Sequence, residues 1–469
     1  MEKLIGRKSE LDLLSKYYES DRPEFIALYG RRRVGKTFIV RSFFKDKFDF
    51  FATGILEGTY EEELKSFGDS LREYGYKGAE PGNWMDAFGA LASLMMKSKR
   101  KKRCVIFLDE ISCFDTAHSG FTRALGHFWN KYASMQDNTF LIVCGSATSW
   151  ITKNVLNNKG GLHNRRTHEI HLRPFNLAKT EQYFVSRKAK WSRMSILQAY
   201  MVLGGVPYYL SLLDMDESLP ENIDRLFFSE DAPMRNEYTR LYSSVFSNPE
   251  RYMDIIKVLS TNKTGLTRTE ISEVAHIDSG KGLSEMLDNL VACDFIRSYR
   301  NGLKKNGEIY QLMDFYTIFY HQFCANPSSD RHYWKNTLNS PLQNTWYGLS
   351  YERVCMAHIQ EILNALHLDT IHTEYYSFRS KDSSPKVQID LVIDRSDDFV
   401  DIIEIKYSRV RFEMTKEERD KIEHRVSRFV NETKTKKGVQ TVLITTLGCE
   451  KNRNADVCQR FLTLDDLFD

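Results

Sequence analysis

No apolar run in this 469-residue chain approaches the roughly eighteen residues a bilayer crossing needs, and the opening stretch MEKLIGRKSE lacks the apolar centre of an export signal. A membrane-spanning protein is thereby excluded, no membrane partner is expected, and a cytoplasmic location is. Proline (10) and glycine (25) are too few for a collagenous or low-complexity chain. The eight cysteines, at 104, 113, 144, 293, 324, 355, 449 and 458, contain no CxxC pair, so neither a disulfide framework nor a zinc knuckle is indicated and they read as reduced core thiols. Charge of one sign is also lacking: 66 basic against 63 acidic residues leave a net +3, so any nucleic-acid surface must be a local patch. What is present is globular, with 42% hydrophobic and 28% charged residues. At about 150 residues per domain, the length predicts about three domains.

Residues 25–29 (FIALY) form a short strand-type run, followed by Gly30-Arg31-Arg32-Arg33-Val34-Gly35-Lys36-Thr37 and the amphipathic stretch FIVRSFF. Strand, glycine loop and helix in that order make a phosphate cradle. The backbone amides from Gly30 through Arg33 to Gly35 wrap an anion without Cβ interference, and the helix N-terminus adds positive dipole. Lys36 is expected at the β- and γ-phosphates and Thr37 at magnesium, making ATP and Mg2+ the implied cofactors. A second buried run, Cys104–Glu110 (CVIFLDE), ends in two carboxylates. Asp109 is expected to hold the hydration shell of magnesium, and Glu110 to orient the attacking water as base. A third run, FLIVC, ends at Gly145-Ser146, where a hydroxyl can sense the γ-phosphate or simply close a strand. Arg165 and Arg166 precede another β-like segment, a candidate source of the cation that neutralises transition-state charge. The basic run 97–103, KSKRKKR, reads as a solvated connection.

These motifs resemble the archaeal-type ATPases of the STAND branch of the AAA+ superfamily, which also occur in bacteria. Ile5-Gly6-Arg7-Lys8-Ser9-Glu10-Leu11 is similar to the family's N-terminal element near the adenine, GRRRVGKT and IFLDE to its nucleotide motifs, and Gly204-Gly205-Val206-Pro207-Tyr208-Tyr209 to its GGxP element. The resemblance implies that Gly6 and Arg7 lie near the base and that Pro207 packs against the nucleotide. It aligns Arg165 with the arginine finger, although Asn164 replaces the preceding glycine, and leaves open whether Arg165 serves its own chain or a neighbour in a homo-oligomer. Such proteins are nucleotide switches.

Residues 176–240 read as helical, fitting a lid after the core. Tyr252, Ile255, Ile256 and Leu259 share one helical face, Thr267-Arg268-Thr269-Glu270 opens a second helix with capping-box spacing, and Leu283, Met286, Leu287 and Leu290 mark a third. Two β-like runs, FIRSYR and EIYQL, flank NGLKKNG, which completes a winged-helix pattern. Its third helix carries Lys281 but also Glu285 and Asp288, which favours a structural adaptor over a DNA reader, while Lys304-Lys305 keeps phosphate contact open.

Beyond Asn326-Pro327 the pattern becomes a helix, strands, a helix and a last strand. On the first helix Leu349, Met356, Ile359, Leu363 and Leu366 recur at repeat positions, and Glu352 falls on that stripe, where an acid needs a partner or a metal. In QIDLVID and DIIEIK, a hairpin centred on residue 397 opposes positions summing to 794, which sets Asp390 against Glu404 with Lys406 one pleat away. Two facing acids need a cation, and oxygen ligands suit magnesium activating water for phosphodiester attack. The set resembles the PD-(D/E)XK nuclease fold: Asp390, Glu404 and Lys406 match its signature and Glu352 its first-helix acid, while Ile389 replaces the usual proline and Pro385 lies farther upstream.

The expected fold is multidomain α/β: a P-loop ATPase core (1–175), a helical lid (176–245), a winged helix (246–325) and a restriction-endonuclease-like domain (326–469). The leading functional expectation is an ATPase whose nucleotide state controls a magnesium-dependent nuclease acting on nucleic acid, DNA foremost. The alternatives are a nucleotide-dependent scaffold whose C-terminal domain binds nucleic acid or a partner without cleaving it, and a DNA-binding regulator acting through Lys281.

Overall fold

The computed structural model describes residues 4–97, 103–146, 148–156, 165–300, 302, 308–326, 328–380 and 387–469. Its first sheet is built from β1 (Glu24–Tyr29), β2 (Phe50–Thr53), β3 (Cys104–Asp109), β4 (Thr139–Gly145) and β5 (His168–His171), all parallel in the order β2-β3-β4-β1-β5. β3 and β4 are buried along their whole length, and β1 as far as Leu28, which is why they read as unbroken apolar runs: helices cover both faces. One face packs on Leu14, Ile39, Val40 and Phe44; the other on an aromatic layer that includes Phe67, Trp84, Phe88 and Phe121. Because β1, β3 and β4 run side by side in one direction, their carboxyl ends bring Gly30, Asp109 and Ser146 to one edge.

Helices Leu177–Ser186, Arg193–Leu203, Pro207–Ser211, Leu219–Ile223 and Glu237–Ser243 follow. Next come helices Pro249–Thr261, Arg268–Ala275 and Lys281–Ala292, with an antiparallel sheet β6 (Leu266–Thr267), β8 (Glu308–Leu312), β7 (Ile296–Arg300) in that spatial order. The reciprocal cap expected at Thr267 and Glu270 is present. The helix Lys281–Ala292 packs on Thr148–Ile151 of the first unit. Lys304 and Lys305 lie outside the described residues.

The C-terminal unit places helices Pro341–Ala357 and Ile359–Ala365 before β9 (Thr373–Arg379), β10 (Gln388–Arg395) and β11 (Phe399–Lys406), then helix Lys416–Thr433, β12 (Gly438–Thr445) and β13 (Arg460–Leu462). β9 to β11 are antiparallel, β11 to β13 parallel, in the order β13-β12-β11-β10-β9. Two strands, not one, therefore close the unit. Leu391 pairs with Ile403 and Asp394 with Val400, so the hairpin has the register that the sum of 794 requires. The first helix departs from expectation. It breaks at His358, and its buried face is Trp346, Tyr347, Tyr351, Val354 and Cys355, with Leu349 and Met356 half-exposed. The wide aromatic face outweighs the leucine repeat.

The eight cysteines are free, and all are buried except Cys113 and Cys449, which are half-buried. Of the basic run, 98–102 lie outside the described residues. Arg103 is no solvated connector: its guanidinium donates to the carbonyls of Tyr17, Tyr18, Ser20, Arg22 and Asp137. Among the described residues, no helix is long and apolar enough to cross a membrane.

Candidate functional site

The loop after β1 turns so tightly that a Cβ at Gly30 would stand 2.1 Å from the Leu172 carbonyl oxygen, so only glycine fits. Gly35 (φ 90°) starts the helix Lys36–Phe44 without a side-chain cap, leaving its first amides free for an anion. Lys36 is buried, and its Nζ donates to Gly30 O and Arg31 O, both at 2.9 Å, and to Ser146 Oγ at 3.1 Å. Burial lowers its pKa, against which the nearby Glu110 and Asp109 carboxylates act. Thr37 Oγ1 donates to Asp109 Oδ2 at 2.7 Å, and burial raises the Asp109 pKa. Glu110 accepts from Ser146 Oγ at 2.7 Å and Ser146 N at 3.0 Å. The Thr37 hydroxyl in the first turn of its helix, beside the Asp109 carboxylate at the end of β3, suits a hydrated magnesium ion.

Gly35, Lys36, Thr37, Glu110 and Ser146 line a 650 Å³ cavity that also takes in Ile5, Arg7, Arg33 and Pro207. Arg7 donates to Val34 O at 2.9 Å and lies 4.6 Å from the Phe175 ring centroid. Gly6 and Asp109 are chain neighbours of the wall residues Arg7 and Glu110 but are not on the wall themselves, nor is Gly30. Wall residues that were not read from the sequence include Phe175, Tyr183 and Arg187. The aromatic and basic pattern of Tyr183–Arg187, directly after the core, was the available signal. Gly205 sets the GGVP turn: its Cβ would meet Phe175 O at 2.1 Å, and Phe175 N donates to Gly205 O at 2.8 Å. Arg165 is exposed and is not on the cavity wall of its own chain. Asn164 lies outside the described residues. Arg166 bonds Leu156 O at 2.6 Å and Glu169 at 3.2 Å.

Two loop arginines reach other units. Arg31 donates Nη1 to Asp314 Oδ1, and the pair is buried. Arg33 bonds Glu237 at 2.6 and 2.7 Å, and Tyr209 OH donates to the same carboxylate at 2.8 Å. Burial works to lower the Arg31 pKa, but the Asp314 carboxylate, with Tyr209 and Tyr242 beside it, holds it up.

The acidic set lies in the C-terminal unit. The β10–β11 register, carried one position further, sets Asp390 opposite Glu404. Burial, then Asp390 and Glu404, push the Glu352 pKa up to about 8, which places the three acids in mutual electrostatic reach. Burial also raises Asp390, whose Oδ1 accepts from Gln388 at 2.7 Å. Among the described residues, no three His, Cys, Asp or Glu side chains are gathered closely enough to hold a metal ion. Glu404 instead accepts from Arg425 and faces Lys406 Nζ at 3.1 Å; Lys406 also pairs with Glu418 at 2.9 Å. Glu404 thus pairs with the guanidinium of Arg425, carried by the helix Lys416–Thr433, and with the ammonium of Lys406.

The fold and the phosphate loop define a P-loop ATPase domain. Residues 4–213 match the family described as an ATPase domain predominantly from Archaea. The chain is 25% identical over 332 residues to an uncharacterized protein of Methanocaldococcus jannaschii, covering 68% of each. Among solved structures it is similar to a Walker-type ATPase of Pyrococcus abyssi (17% identity, TM-score 0.48, 68% of this chain and 96% of that one). It is also similar to the ORC2 protein of Aeropyrum pernix in ADPNP and ADP complexes (14% identity, TM-score 0.43, 68% and 93%).

Proposed function

We propose that the protein is an ATP-hydrolysing switch whose nucleotide state governs a C-terminal nuclease-like domain acting on nucleic acid, with DNA the first substrate to test. The observation that carries this reading is the pairing of Arg31 with Asp314, which ties the phosphate loop to the segment leading into the C-terminal unit. Lys36 and the free amides of its helix would hold the phosphates, Thr37 and Asp109 the magnesium, and Glu110 would position the attacking water once freed from Ser146. Pro207, Tyr208 and Arg7 would wall the base. Glu352, Asp390, Glu404 and Lys406 are assigned to the second centre, and the unit from residue 246 to 325 acts as the adaptor of winged-helix type between them. Its third helix rests on the ATPase core, which supports an adaptor rather than a groove reader.

A specific observation favours a second reading. Glu404 is held by Arg425 and Lys406, an arrangement compatible with a domain that binds nucleic acid or a partner without cleaving it. Substituting Asp390→Ala and Glu404→Ala together separates the two. The nuclease reading expects magnesium-dependent DNA cleavage to vanish while ATP hydrolysis continues. Equal cleavage by wild type and double variant, or none by either in ATP, ADP and nucleotide-free buffer, leaves the binding scaffold. Analytical ultracentrifugation with ATP tests whether a neighbour brings Arg165 to the site.

A further inference from the structure

The phosphate loop carries three successive arginines, and their heads have different surroundings. Arg31 is not on the wall of the nucleotide cavity. It lies on that of a second cavity, of 570 Å³, between β7, the segment 313–315 and the β9–β10 hairpin, and its head is buried against Asp314. Arg33 is on the nucleotide wall, but its head is engaged twice: it bonds Glu237 at 2.7 Å and lies 4.0 Å from the Tyr208 ring centroid. Arg32, between them, is half-buried on the same wall, which it shares with Lys36, Thr37, Glu110 and Ser146. It has no hydrogen bond, ion pair or ring contact among the described residues. Its partial exposure leaves the guanidinium open to a ligand in the cavity.

Hydrolysis at this loop calls for such a cation. As the water oxygen bonds to the γ-phosphorus and its proton passes to Glu110, the bond from phosphorus to the β–γ bridging oxygen breaks, and that oxygen leaves with ADP carrying the electron pair. Charge spread over the γ-phosphoryl oxygens during this exchange is stabilised by a guanidinium, whose flat edge of two N–H groups matches two oxygens at once. The other cations near the loop are committed elsewhere: Lys36 donates to Gly30 O, Arg31 O and Ser146 Oγ, and Arg7 to Val34 O and Glu10. Arg165 is off the wall. We propose that Arg32 is a catalytic residue acting within its own chain, its guanidinium placed on the γ-phosphoryl oxygens of ATP. The assignment rests on the reading of this loop as an ATP-hydrolysing site, and it requires no neighbouring chain and no movement of the lid.

Phosphate release at saturating ATP, together with calorimetric titration of ADP and of the non-hydrolysable ATP analogue ADPNP, tests this on the full chain. Arg32→Ala removes a head that touches no other part of the protein, so it is expected to melt as wild type does. Its kcat is expected to fall about a hundredfold or more, the scale of a lost arginine finger. ADPNP is expected to bind about tenfold more weakly, the loss of a charge-assisted contact, while ADP, which has no γ-phosphate, binds within about twofold of wild type. Arg32→Lys keeps the charge but not the two-pronged edge, and its kcat is expected between those of wild type and Arg32→Ala. An unchanged kcat in Arg32→Ala overturns the assignment. So does an equal loss of affinity for ADP and ADPNP, which marks a general disturbance of the loop. Should wild type bind both nucleotides without turnover, the hydrolysis reading fails by itself, and the γ-phosphate contact stands or falls on the contrast between ADPNP and ADP.

Discussion

Lys36 uses all its donors on protein oxygens, so an incoming triphosphate exchanges bonds rather than filling a vacant charge. Glu110 is in a similar position, with both carboxylate oxygens on Ser146. Glu110→Gln is therefore expected to retain ATP binding and to lose about a hundredfold or more in hydrolysis, the usual scale for a positioned base; equilibrium binding and phosphate release measured together check it. A separate carboxyl answers to pH. Glu63, 0% exposed and accepting from Ile55 N at 2.8 Å, has its pKa pushed up by burial from 4.5 to about 7. Between those values the folded chain keeps a proton the unfolded chain has released, so stability falls as pH rises through that window. Glu63→Gln is expected to flatten the fall, as read from denaturant midpoints at pH 5 and pH 7.5.

At the scale of elements, the turn after helix Arg193–Leu203 sets the geometry of the nucleotide cavity. Gly205→Ala forces a Cβ toward Phe175 O in a backbone with φ 65°. The expected result is a lower melting temperature and an ADP affinity reduced about tenfold, since Pro207 and Tyr208 lose their aim. The same turn shows what the sequence made legible. GGVP, GRRRVGKT and LDE are local patterns whose spacing dictates backbone shape, and the hairpin around residue 397 follows from strand parity alone. The helix Pro341–Ala357 was misjudged because leucine spacing was followed and the aromatics Trp346, Tyr347 and Tyr351 were not. Arg425 escaped notice for another reason: it sits on an exposed-looking charged helix 21 residues past its partner Glu404, with no local pattern to link them.

Across the whole molecule, long-range polar pairs hold the units together, and such pairs leave no trace in sequence periodicity. Arg31 and Asp314 are 283 positions apart. His358, buried, accepts from Leu177 N at 2.9 Å and joins the C-terminal helices to the lid; Gln198 reaches Tyr407 at 2.9 Å. Removing one member of a buried ion pair strands the other, so Asp314→Ala is expected to cost about 3–5 kcal/mol in urea unfolding. Asp314 also caps the helix Phe315–Phe319 through Thr317, so Asp314→Asn is the milder variant.

Phe175 forms part of the wall of both cavities. An occupant of either cavity that shifts this shared ring alters the fit next door, and thermodynamic reciprocity makes that influence mutual: whatever factor ADP applies to the Kd of a ligand in the second cavity, that ligand applies to the Kd of ADP.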